Sequence, residues 1–330
     1  MSNIQLSVGL IGCGTVGGTF FKVLRERKTA IEEHLGAGLR IVQIAVARPH
    51  LPRPSAGDIP VHGDAARIAA DERIPILVEA SNAPQAADWI AAALARGAVV
   101  ITANKQALAS RRDLLGRLAR GDPRLYCEAS VAAAVPIIRT LRDSLRCDEV
   151  RELRGVLNGT TNFMLSHIED DASFDEALRL AQRAGYAESD PASDLSGADA
   201  AAKLAILSTI AWRVPVCASE IATQGIDSSV VAEVHRARRQ GQRLRFVAQA
   251  LRNGSLRASV RPASLPEGDL LARANGVENV IQIEAALAGT LSWQGPGAGG
   301  LATASSLLGD VVCGAAYLIQ HRQRSFYGGC

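Results

Sequence analysis

The sequence predicts an α/β protein: a doubly wound parallel sheet followed by a second domain of mixed strands and helices. Three observations predict it. Apolar, β-rich runs alternate with helical stretches through the first third of the chain. A glycine-rich turn, Gly12-Cys13-Gly14-Thr15-Val16-Gly17, separates the first run from the first helix. The alternation stops after about Val131, and a different pattern begins. At ~100–200 residues per domain, a chain of 330 residues divides into two domains.

The elements follow in order. Ile4, Leu6, Val8 and Leu10 alternate with polar or small residues, the period of a strand. A helix is expected from about Thr15 to Arg27. Further strands are read at 39–47, 59–61, 76–80, 99–102 and 125–128, with helices at 85–96 and 106–120 between them. Beyond the change of pattern, 136–145 reads as helical and 150–157 as a strand. Helices are expected at 174–185 and 197–212 around an acidic loop. The stretch 244–263 reads as a hairpin about Asn253-Gly254. Strands at 280–288 and 291–293 lead to Gly295–Gly300, and an apolar helix then runs to about Gln320.

Composition sets limits. Hydrophobic residues make up 48% and charged residues 21%, enough to build a core and too apolar for a disordered chain. The net charge of +3 gives no basic stripe for nucleic acid or a membrane surface. No uninterrupted apolar run reaches the ~18 residues of a membrane helix, and no basic segment precedes an apolar leader. The six cysteines form no C-x-x-C pair, so reduced thiols in the cytoplasm are expected. The histidines form no cluster with ligand spacing, and no transition-metal site is expected.

Four motifs and one strand end carry chemistry. In the glycine turn, Gly12 permits a tight bend, Gly14 lets the backbone approach a pyrophosphate, and Gly17 lets the helix pack on the strand. The alternative is a glycine turn that binds nothing. The end of the second strand reads Ala47-Arg48-Pro49-His50, with Arg53 close by and no acid for a ribose hydroxyl. An arginine there can pair with a 2′-phosphate, so NADP(H) is favoured over NAD(H); the alternative is a solvated loop arginine. Thr102-Ala103-Asn104-Lys105 follows a parallel strand at the edge where such sheets bind ligands. Asn158-Gly159-Thr160-Thr161 offers small polar donors after a strand, or simply caps a helix. Last, Glu188, Asp190, Asp194 and Asp199 gather in one segment, with Lys203 one turn beyond Asp199. Asp199 and Lys203 share a helix face among alanines and leucines. They are either an ordinary ion pair or a proton donor in an enclosed site.

With these residues the chain resembles the homoserine dehydrogenase family over nearly its whole length. The resemblance rests on the glycine turn, TANK at 102–105, EASV at 128–131, GVLNGTTNF at 155–163, GYAE at 185–188, Asp190 to Asp194, GADAAAK at 197–203 and GPGAGG at 295–300. It implies reversible interconversion of L-homoserine and L-aspartate 4-semialdehyde with NAD(P), on the route to threonine, isoleucine and methionine. It implies a Rossmann-type domain over 1–134 and 301–330, a substrate and dimerisation domain over 135–300, and a homodimer. Lys203 and Lys105 match the family's active-site lysines, with Asp199 supporting catalysis. Glu188, Asp194, Gly159 and Thr160 fall at substrate positions. Gly12, Cys13, Gly14, Thr15, Val16, Gly17, Arg48, Thr102, Lys105 and Gly297 are the expected cofactor contacts. Glu128, Val131 and Ala133 fall where some members hold Na+ or K+ through backbone carbonyls.

The chain departs from the family pattern in places. Ala132-Ala133-Ala134 replaces glycines after EASV, and alanine resists positive φ. Ala302-Thr303 stands where a Pro-Thr pair is usual. The chain reaches Cys330 soon after its last core helix, so no C-terminal ACT domain, and no threonine inhibition through one, is expected. Cys330 itself is either a plain tail residue or a redox-linked contact. Two competing readings stand beside the resemblance. Aspartate-semialdehyde dehydrogenase chemistry would need a reactive cysteine, for which Cys127 is the candidate. A nucleotide sensor on a retained dehydrogenase fold would dispense with Lys203 or Asp199, and both are present.

Overall fold

The computed structural model describes residues 4–52 and 56–327. Arg53 and Cys330 lie outside the described residues. The chain divides into two compact units, one of residues 1–134 and 299–330, the other of residues 135–298.

The first unit holds a six-stranded parallel sheet: β1 (Ile4–Ile11), β2 (Ala37–Ala45), β3 (Val61–His62), β4 (Ile76–Glu79), β5 (Val99–Thr102) and β6 (Leu125–Tyr126). Their order is β3-β2-β1-β4-β5-β6, so the direction of winding reverses beside β1. The carboxyl ends of β1 and β4 are therefore the place where such a sheet binds a ligand. β4 and β5 are buried along their whole length, as expected for strands with helices on both faces. The last helix, Gly300–Tyr327, returns to this unit and packs on the Thr15–Glu26 helix and on β5.

That last helix is longer than the sequence pattern suggested. Gly300–His321 is long and apolar enough to cross a membrane by length and composition alone. Its apolarity has a local cause. Ala304, Leu307, Val311 and Ala315 are fully buried in the core of this unit. Asp310, which interrupts the apolar run, is buried and accepts a hydrogen bond from the Glu128 N–H at 2.8 Å.

The second unit holds β7 (Val150–Val156), β8 (Ala222–Thr223), β9 (Gln242–Asn253), β10 (Ser255–Pro266), β11 (Glu278–Ala285) and β12 (Gly289–Pro296). They pair as β12-β11-β7-β9-β10-β8, antiparallel except for β10 with β8. The hairpin turns at Gly254, whose φ of 74° suits glycine. The Ala198–Trp212 helix is apolar on nearly every side and buried accordingly.

Several elements differ from the sequence reading. The expected helix over 106–120 is two helices, Lys105–Ala109 and Arg112–Ala119. The first ends at Ser110, and Arg111 is extended. The stretch after Pro136 is a short α-turn that widens into a π-turn at Thr140–Ser144. Gly159–Glu169, for which the sequence reading gave no bounds, is an eleven-residue helix capped by Asn158, as the capping alternative expected. Val230–Arg239 is a further helix that the pattern did not suggest. Ala132 and Ala133 do adopt positive φ, 53° and 42°, despite the ~1–2 kcal/mol that this region costs an L-residue. The surrounding fold imposes the turn, and the Ser306 hydroxyl donates to the Ala133 carbonyl at 2.6 Å.

Candidate active site

The glycine turn joins β1 to the Thr15–Glu26 helix, and each glycine answers to a different constraint. Gly12 has φ 86°, and a Cβ there would lie 2.5 Å from the Ala80 carbonyl oxygen. A Cβ on Gly17 would lie 2.0 Å from the Gly12 oxygen, so only hydrogen lets the helix sit against the turn. Gly14 has nothing within 4 Å of its missing Cβ. The Thr15–Glu26 helix has no side-chain cap at Gly14 and no acid in its first turn. Cys13, Thr15 and Val16 complete this turn, whose first-turn N–H groups suit an anion. This chain's own cradle thus fits a dinucleotide pyrophosphate. Arg48 is exposed, three residues past the end of β2.

Beside the turn, the carboxyl ends of β4 and β5 carry a polar cluster that sequence reading missed at its centre. Glu79, the last residue of β4, is 0% exposed. Its Oε1 accepts from the Ser81 N–H at 2.8 Å and the Ser81 hydroxyl at 2.6 Å. Its Oε2 accepts from the Thr102 hydroxyl at 2.7 Å. Burial pushes the Glu79 carboxyl above its ordinary pKa, against the lowering effect of these donors. Asn104 caps the next helix through Ala107 N–H, and the half-buried Lys105 is its first residue. A glutamate ending the run Ile-Leu-Val-Glu was the only sequence signal for this hub.

The second unit carries the acid–lysine constellation. Asn158 caps the Gly159–Glu169 helix, its Oδ1 accepting from Thr161 N–H at 2.8 Å. Its amide nitrogen donates to Asp194 at 2.7 Å and to Asp199 at 2.9 Å. Asp199 in turn lies 2.9 Å from the Lys203 ammonium, which also donates to the Leu157 carbonyl at 2.6 Å. Asp199 and Lys203 are 8% and 9% exposed, so the reading as an ordinary solvated ion pair is set aside. An ammonium has three N–H donors, and these two contacts leave a third for a substrate oxygen.

Gly159 lies where the helix meets the Val277 backbone, and a Cβ there would come 3.1 Å from the Val277 oxygen, a tight approach. The Thr160 hydroxyl donates to the Tyr186 carbonyl at 2.7 Å. This holds the Gly185–Glu188 segment near the helix start. Glu188 is exposed and Asp194 half-buried. Asn158 was part of a sequence motif, yet its role as the bridge between two aspartates was not legible. Gly297, placed with the cofactor residues by motif, belongs to the second unit and packs on the Asn279 amide.

The EASV segment forms a 3-10 turn at Glu128–Ser130. The Glu128 carbonyl accepts from Val131 N–H, and the Ala133 carbonyl accepts from Ser306. A carbonyl oxygen has two lone pairs, so these two hydrogen bonds do not by themselves bar an oxygen-ligated monovalent ion at Glu128, Val131 and Ala133. Among the described residues, no group of three His, Cys, Asp or Glu side chains could hold a metal ion. Cys127 is 1% exposed, which does not suit an attacking thiolate and weighs against the semialdehyde-acylating reading.

A pyrophosphate cradle on a doubly wound sheet and a buried lysine held by carboxylate and carbonyl define an NAD(P)-dependent oxidoreductase. Comparison with known proteins narrows the class. The model of the homoserine dehydrogenase NAD-binding domain matches residues 12–128, and that of homoserine dehydrogenase itself matches 136–312. The homoserine dehydrogenase of Pseudomonas aeruginosa is 35% identical over 311 residues, 93% of this chain and 71% of that protein. A homoserine dehydrogenase structure from Thiobacillus denitrificans superposes with a TM-score of 0.90 at 33% identity, covering 98% of this chain and 76% of that one. A hyperthermophilic archaeal homoserine dehydrogenase in complex with NADPH gives a TM-score of 0.78 at 25% identity, covering 96% and 98%. The chain belongs to the homoserine dehydrogenase family.

Proposed function

We propose that this chain catalyses the reversible NAD(P)H-dependent reduction of L-aspartate 4-semialdehyde to L-homoserine, in threonine, isoleucine and methionine biosynthesis. The observation that carries the reading is the buried Lys203 ammonium, held by Asp199 and the Leu157 carbonyl with one N–H to spare. NADPH, when bound, supplies the hydride. Lys203 stabilises the alkoxide that develops on the former carbonyl oxygen and hands it a proton. Asp199 orients the Lys203 ammonium at 2.9 Å, and Asn158 fixes Asp199. Lys105 positions the oxygen or relays the proton. Glu188 and Asp194 suit the substrate ammonium, and Gly159 and Thr160 its carboxylate. The forward test uses L-homoserine and NADP+. The reading expects NADPH to appear with L-homoserine and not with the D-enantiomer. Equal rates with both would show that the acidic cluster does not read the amino acid.

NADP(H) is the preferred cofactor in this reading, through Arg48. Its exposed position past β2 suits a 2′-phosphate. The NADPH in the archaeal neighbour supports the choice of nucleotide. A charge-assisted hydrogen bond contributes ~1.5–3 kcal/mol, so Arg48→Ala is expected to raise KM for NADPH about tenfold or more and leave that for NADH unchanged. Equal changes for both would remove Arg48 from cofactor choice. Thr102, Lys105 and Gly297 complete the cofactor contacts. Na+ or K+ at Glu128, Val131 and Ala133, assembly as a homodimer and residence in the cytoplasm belong to the same reading. Replacing K+ by a large organic cation and measuring mass by sedimentation test the first two.

A further inference from the structure

We infer that Glu79 is the positioning residue for Lys105: its buried carboxylate ties the loop after β4 to the loop after β5 and so fixes where the Lys105 helix starts. The inference rests on the proposed role of Lys105. Its geometry is independent of that role.

Four residues close a ring. Glu79 takes both Ser81 donors on Oε1 and the Thr102 hydroxyl on Oε2. The Thr102 oxygen accepts from Asn104 N–H at 2.9 Å. The Asn104 amide nitrogen donates to the Ser81 carbonyl at 3.0 Å, back across the ring. The backbone repeats the link, with Ala103 N–H donating to the Glu79 carbonyl at 3.0 Å. Asn104 then caps the Lys105–Ala109 helix. Lys105 is thus one residue from Asn104, which two side-chain hydrogen bonds and one from its backbone N–H hold in place.

Three donors converge on the carboxylate, which accepts from all of them. A glutamine keeps both Ser81 bonds only by turning its NH2 toward Thr102, whose hydroxyl must then accept where it donated and send its own proton elsewhere. Burying an ionisable acid is costly. A bridge with no role beyond joining two loops could be made from neutral amides, as Asn158 shows in the other unit.

The test compares Glu79→Gln and Thr102→Val in wild-type and Lys105→Ala backgrounds. Thr102→Val removes the hydroxyl link and keeps the shape and the charge, so it serves even where Glu79→Gln folds poorly. In the wild-type background each is expected to lower kcat tenfold or more. In Lys105→Ala the same change should cost less than twofold in kcat at saturating NADPH, because the group it positions is gone, while any part Thr102 has in holding the cofactor falls on KM. A second readout needs no turnover. The chain has four lysines, Lys22, Lys28, Lys105 and Lys203. With 13C-methylated lysines, the resonance missing from Lys105→Ala is that of Lys105. It should move in both variants while those of Lys22 and Lys28 stay. Equal kcat losses in both backgrounds, or an unmoved Lys105 resonance, would overturn the inference. A wild-type enzyme that reduces no aldehyde would instead sink the proposed function, and the resonance would still decide the role of Glu79.

Discussion

Lys203→Met is expected to lower kcat by about 10²–10⁴, the usual contribution of a positioned general acid, while NADPH binds as before. The methionine keeps much of the apolar stem, so the buried helix face stays filled. What disappears is the proton and the positive charge at the developing alkoxide. The change also removes the ammonium that lies 2.9 Å from Asp199, which keeps the Asn158 amide. Removing one member of a buried ion pair is destabilising, so some loss of thermal stability accompanies the loss of rate. Lys203→Met/Asp199→Asn separates the two effects. It removes the Asp199 charge as well, and stability should return while the rate does not. Stopped-flow or steady-state rates with a parallel NADPH fluorescence titration check both halves. A single mutant within threefold of wild type would remove Lys203 from the chemistry.

The second large effect separates folding from cofactor binding within one turn. Gly17→Ala puts a methyl 2.0 Å from the Gly12 oxygen, a backbone atom with no rotamer to retreat into. The helix start must move away from β1. Overpacking of this kind typically costs ~1–3 kcal/mol, and it displaces the N–H groups that face the pyrophosphate. Both stability and NADPH affinity should fall. Gly14→Ala meets no atom within 4 Å, so the empty protein should melt as wild type does. In the proposed cradle its methyl would meet the pyrophosphate, so NADPH affinity should fall by tenfold or more. Melting curves and NADPH titrations of the two variants give the contrast. A Gly14→Ala protein that binds NADPH normally would show that the cradle is not used as described.

Much of this arrangement was legible in the residues. The strand–turn–helix rhythm gave the parallel sheet, because strands buried on both faces leave unbroken apolar runs such as Val99–Thr102. The glycine turn was readable because two of its three glycines, Gly12 and Gly17, sit where the backbone leaves no room for a Cβ. Asn253-Gly254 announced the hairpin. Other features left no periodic signal. The Gly159–Glu169 helix opens with Thr160, Thr161 and Asn162, which on their own suggest a turn, and it is set by tertiary burial of those same residues. The Asp199–Lys203 spacing announced a pair, but only burial distinguishes it from a surface ion pair worth ~0.3–0.5 kcal/mol. Glu79 and the bridging role of Asn158 escaped notice because such a role depends on partners far away in the chain. Asn158 reaches Asp199 across 41 positions, and Glu79 reaches Thr102 across 23.

The central claim is hydride transfer to the amino-acid aldehyde with protonation by Lys203. The most direct measurement mixes the full chain with NADPH deuterated at C4 and L-aspartate 4-semialdehyde, then follows NADPH absorbance and the mass of the product. The account predicts rapid loss of NADPH, slower loss with NADH, and L-homoserine carrying one deuterium at C4. Folded protein that binds NADPH yet leaves both absorbance and aldehyde unchanged would contradict it.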